Sequence, residues 1–113
     1  MKKRIITDPN YLHQKSKDVY LGEVNDIVKQ LEEALEGTMG IGLCAIQIGI
    51  PKRVGIIRVP EKKFELDLIN ADILQKDGKF RFPKEGCLSL PGLRVDTIRY
   101  KEITICNNNK KLC

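Results

Sequence analysis

The chain has 113 residues, with 42% hydrophobic, 31% charged and 5% aromatic side chains and a net charge of +5. That length allows one domain with one core, and the composition excludes a disordered chain. No apolar run reaches the ~20 residues of a membrane span, and the charge is too dispersed and too poor in aromatics to mark a specific nucleic-acid surface.

In chain order, "MKKRIITDPN" is basic, but a polar segment follows it, so no secretory leader is predicted. With no CxxC pair among Cys44, Cys87, Cys106 and Cys113, reduced thiols and a cytoplasmic location are the expectation. Glu23 to Glu36 places Val24, Ile27, Val28, Leu31, Ala34 and Leu35 at the spacing of a helix with one buried face. Glu23 and Asp26 suit its positive end, and Gly37 its left-handed stop.

The texture then changes. "GIGLCAIQIGIP" is apolar, glycine-punctuated and uncharged. Arg53 to Val59 is rich in β-branched residues and reads as a buried strand. Glu65 to Asn70 alternates with period two, as a strand with one wet face does. "ADILQKDGKFRF" is extended, with Asp77-Gly78 as a turn signal. Arg94 to Cys106 holds two alternating runs, and "NNNKK" reads as a hairpin turn. One helix followed by short, tightly connected antiparallel strands makes an α+β domain spanning residues 1–113.

Two stretches carry chemistry. In "GIGLCAIQIG", the glycines permit close backbone approach, as binding of an extended peptide requires. Gln47 is a polar side chain in an apolar run, so its amide is either satisfied by nearby backbone or aimed at a ligand. The spacing is not that of a nucleotide loop. In "KEGCLSLPG", Cys87 has three readings: a small buried thiol, a nucleophile, or a metal ligand. A nucleophile needs a base, and His13 is the only histidine in the chain. A thiol-based activity would further predict alkylation of Cys87 well below the ordinary thiol pKa.

Taken together, "GIGLCAIQIGIPKR" and "EGCLSLPG", in that order and about forty residues apart, resemble the first and second signature motifs of the peptide deformylase family. "RIITDPNYLHQKSKDV" is similar to the family's N-terminal segment and "LINADI" to its central strand. Cys44 departs from the pattern, standing where the family commonly has alanine. The resemblance implies a peptide-deformylase-like α+β fold and removal of the N-formyl group from the N-terminal methionine of nascent proteins. It implies that Cys87 is a metal ligand, with Fe²⁺ as the family's ion and Zn²⁺ or Ni²⁺ also compatible with a thiolate. Gln47 and the backbone N–H of Leu88 match the donors to the oxyanion. Ile41, Gly42 and Gly86 match positions lining the peptide cleft. Glu85 and Arg94 match a supporting pair behind the site.

The family's third motif, HExxH on a helix, supplies two metal-binding histidines and the general base; it follows the second motif by roughly forty residues. The 113 residues contain no HExxH. The expectation is therefore the front two thirds of a deformylase-type enzyme, lacking the metal-binding helix and inactive by itself. An apolar sheet face is expected to lie exposed as a result. The partners implied are N-formylmethionyl nascent peptides, the ribosome, and a complementing chain carrying HExxH. The alternative is a non-catalytic module that binds N-terminal peptides with the same cleft.

Overall fold

A computed structural model describes residues 4–107 and the backbone of 110–112. Lys2-Lys3, the Asn108-Asn109 pair of the expected hairpin turn, and Cys113 lie outside the described residues. A one-turn helix α1 (Pro9–Leu12) precedes the main helix α2 (Leu21–Leu35). Strands β1 (Gly42–Cys44), β2 (Val54–Val59) and β3 (Phe64–Ile69) follow, then β4 (Asp72–Cys87), β5 (Leu90–Asn107) and β6 (Lys110–Leu112). They form two antiparallel three-stranded sheets, β1-β2-β3 and β4-β5-β6. Among the described residues no helix is long and apolar enough to cross a membrane.

Helix α2 forms where its periodicity predicts. Its first turn is tied by Tyr20 N–H donating to Glu23 Oε1 at 3.2 Å, and Gly37 ends it with φ +77°. Its buried face is Val24, Ile27, Leu31, Ala34 and Leu35. These pack on Leu43, Ala45, Ile48, Val54 and Ile56 from β1, β2 and the turn between them. Leu31 is fully buried and contributes about 2 kcal/mol by leaving water. This single core holds the glycine-rich segment rigidly, with β1 paired to β2 through Gly42–Ile57 and Cys44–Gly55.

Strands β4 and β5 differ from the expectation of two short runs. They form one long antiparallel pair, and Asp77-Gly78 lies inside β4 opposite Glu102 and its neighbours. Gly78 takes φ +73° there without reversing the chain. A side chain at that position would stand 2.9 Å from Lys101 Cβ, so glycine here answers a crowded cross-strand contact rather than a turn. Further along, the register slips by one residue between Phe82 and Glu85. Pro83, which has no N–H for the ladder, and Lys84, at φ +53°, occupy this bulge. Lys84 N–H is satisfied by Asp96 Oδ1 at 3.1 Å. The pair reverses at Leu88-Ser89, a two-residue turn closed by Cys87 and Leu90.

That turn reaches back to the first sheet. Leu88 packs against the core and Ser89 is buried. At the other end of the hairpin, Asn107 bridges the sheets by accepting from Ile69 N–H and donating to Asp67 O. Away from these anchors β4 and β5 expose apolar side chains, including Ile73, Leu74, Val95 and Ile98.

Candidate active site

The segment that follows α2 runs through Gly40 and Ile41 into β1. Cys44 then caps a short 3₁₀ turn, Ala45–Ile48, and this turn carries Gln47. The opposite wall is the β4–β5 turn. Between them lies a cleft of about 320 Å³, lined by Met39, Gly40 and Ile41 on one side and Gly86, Cys87 and Leu88 on the other, with Leu90 to Arg94 at its rim. Its size is at the small end for ligand sites.

Gln47 is not among the lining residues, but its amide nitrogen reaches Cys87, which is. Its Oε1 accepts from Cys44 N–H at 2.9 Å. Its Nε2 donates to Ser89 Oγ at 3.0 Å and stands 3.8 Å from Cys87 Sγ. Of the two alternatives open for this amide in the sequence, backbone satisfies the oxygen, and Ser89 is the near partner of the nitrogen. Leu88 N–H has no hydrogen-bond partner among the described residues. Two donors thus sit beside one exposed thiol.

Ile41, Gly86, Cys87, Leu88 and Arg94 meet at this cleft. Gly42 does not line it. It pairs with Ile57 in the sheet, and a Cβ there would approach Ile56 O at 3.2 Å. The supporting pair is different from the expected one. Glu85 bonds Arg99 through a two-point ion pair and Thr97 through its hydroxyl. Residue 99 shares a face with 85 across the bulge, whereas residue 94 is opposite Gly86. Arg94 lays its guanidinium over Gly86, where any Cβ would collide with it. Arg99 and Thr97 hold the Glu85 carboxyl below the ordinary glutamate range, Arg99 by the larger effect. Arg99 also lies over the Phe82 ring at 4.3 Å.

The sequence reading missed Ser89, Thr97 and Arg99. Ser89 is part of the quoted motif, but its burial and its contact with residue 47 arise only when the hairpin turn docks. Cys44 gains significance too. Although the residue as a whole is exposed, its thiol is pushed above the ordinary value, first by lost hydration and then by the nearby Cys87.

A divalent metal of the type the resemblance implies needs three or four ligands. Among the described residues no three His, Cys, Asp or Glu side chains group to hold one. The polar groups on the Cys87 sulfur are instead an amide and, beyond it, a hydroxyl. These residues alone do not make a metal centre.

Comparison with known proteins gives a consistent result. Residues 2–112 match the sequence profile of the family described as Polypeptide deformylase. The peptide deformylase of Aquifex aeolicus is 34% identical over 112 residues, covering 93% of this chain and 66% of the relative. That of Brachyspira hyodysenteriae is 37% identical over 89 residues, 74% of this chain and 48% of the relative. The crystal structure of the Thermotoga maritima peptide deformylase superposes with a TM-score of 0.85 at 26% identity, covering 99% of this chain and 79% of that one. The chain spans about half to two thirds of the length of these two curated relatives.

Proposed function

This chain belongs to the polypeptide deformylase family, and from that premise we propose that it forms the peptide cleft and oxyanion-donor part of a hydrolase removing the N-formyl group from N-formylmethionyl nascent peptides. The observation that carries the reading is the placement of Gln47 Nε2 3.8 Å from Cys87 Sγ, beside the unpartnered Leu88 N–H. An amide N–H and a backbone N–H next to the same cysteine would suit an oxygen that gains negative charge as its carbonyl is attacked. Ile41 and Gly86 on facing walls would hold the first residues of an extended peptide, a grip that needs little side-chain bulk. Cys87 would supply one thiolate to the family's iron, or to zinc or nickel. The described residues bring no further ligands to it, so no step through a metal follows from them. The remaining ligands and the base would come from an HExxH segment, in a complementing chain or elsewhere in the full protein. Nascent chains leaving a cytoplasmic ribosome are the substrates this reading implies.

A second reading is that of a non-catalytic module derived from the same fold. In it the cleft binds N-terminal peptides without hydrolysing them. One experiment separates the two. The purified chain is titrated with a formyl-Met tripeptide, and formate release is followed with Fe²⁺, Ni²⁺ or Zn²⁺, alone and with an added HExxH-bearing polypeptide. The first reading expects binding by the chain alone and formate only on complementation. Binding with no formate under any condition supports the second. Absence of binding overturns both, and turnover by the chain alone overturns the assignment of the other ligands to an added segment.

A further inference from the structure

The Gln47 amide is held at both ends, by partners of different kinds. Cys44 N–H can only donate, so it selects the oxygen of the amide, at 2.9 Å. A flipped amide would set two donors against each other. The nitrogen end meets Ser89 Oγ at 3.0 Å, a hydroxyl on a side chain only 3% exposed. The last torsion of a glutamine is otherwise soft, and an amide held at its oxygen alone can still swing its nitrogen. With one N–H committed to Ser89, the second is directed to the side of Cys87 Sγ, 3.8 Å from the nitrogen.

Ser89 is itself fixed from two directions. It belongs to the two-residue turn closed by Cys87 and Leu90, and its neighbour Leu88 is packed into the core. The hydroxyl therefore carries the position of the β4–β5 turn to the 3₁₀ turn bearing Gln47, 42 residues away in sequence. We propose that Ser89 is the positioning residue that fixes the Gln47 amide as a donor on the side of Cys87. The assignment of that donor to a formyl oxygen rests on the function proposed above, whereas the fixing of the amide does not.

The test is ¹⁵N NMR of the full chain, reading the Gln47 side-chain NH₂ pair, assigned by its loss in Gln47→Glu. Wild type should show one of the two protons exchanging about tenfold more slowly than in a free glutamine, as one hydrogen bond of ordinary strength gives. Ser89→Ala should abolish the slow exchange while the core amides of Leu31 and Ile56 stay protected. Ser89→Thr should retain it. The proposal is overturned if Ser89→Ala leaves the pair unchanged, or if the wild-type pair exchanges as freely as in a peptide. The latter measurement decides the matter even if Ser89→Ala does not fold. Adding a formyl-Met tripeptide then reads the functional premise separately. It should shift the Gln47 pair in wild type and not in Ser89→Ala. A peptide that moves no cleft resonance sinks the proposed function and leaves the Ser89 result standing.

Discussion

A methyl group on Gly40 would stand 2.8 Å from Leu88 Cδ1 and 3.1 Å from its Cγ. The two residues lie on opposite walls of the cleft, and Leu88 is half-buried and also packs against the core. The cleft is therefore as narrow as its two walls permit at this point. Gly40→Ala should push Leu88 out of place at a cost of about 1–3 kcal/mol, the range for overpacking. Urea denaturation of Gly40→Ala, Leu88→Ala and the double variant measures it. The double variant should be less destabilised than the sum of the two single changes. Strict additivity would show that the two walls do not touch.

Asn107 joins the sheets as an extra strand residue would, accepting from Ile69 N–H at 2.6 Å and donating to Asp67 O at 2.8 Å. Its side chain is buried, so Asn107→Ala leaves a shielded N–H and a carbonyl unpaired. The expected loss is about 1–3 kcal/mol, together with faster hydrogen exchange at Ile69. An unchanged Ile69 exchange rate would contradict the bridge.

Glu85 has its folded pKa lowered by Arg99 first and Thr97 second. A lowered carboxylate pKa means the unfolded chain binds the proton more readily. The pair's contribution is thus fully present above the ordinary glutamate pKa and is lost as pH falls through the lower folded value. Both side chains are partly exposed, which keeps the effect modest. Stability measured from neutral to acid pH should fall less steeply in Arg99→Gln than in wild type. Identical slopes would rule the pair out as the cause.

Cys44 has a raised pKa through lost hydration and, secondarily, Cys87. Only the thiolate is alkylated, so at neutral pH iodoacetamide should modify Cys44 more slowly than a free cysteine. Cys87→Ser should move its alkylation midpoint down part of the way, because the hydration effect remains. Peptide mass spectrometry across a pH series reads both. A Cys44 midpoint at the ordinary thiol value would show that its sulfur loses no hydration in the fold.

Gln47→Ala in a chain complemented to release formate should lower kcat by about 10²–10³, the usual loss for one oxyanion donor. Steady-state kinetics on a formyl-Met tripeptide measures it. A change confined to KM would instead make Gln47 a substrate-binding residue only.

Much of this molecule is local. Helix α2, its stop at Gly37, strands β2 and β3, and the two stretches on which the family resemblance rests are all written in spacing and residue type over fewer than twenty positions. What the sequence could not decide depends on which distant segments meet. The Asp77-Gly78 pair has the local signature of a turn, but cross-strand pairing with Glu102 and its neighbours holds it in one long strand. Glu85 takes Arg99 rather than Arg94 because a one-residue bulge at Pro83-Lys84 resets which side chains share a face. Ser89 meets Gln47 because the β4–β5 turn docks on the core through Leu88. Periodicity reports which side of an element is apolar. The partner across a 42-residue separation is set by register and docking, which arise only from the burial of the whole chain's apolar surface at once.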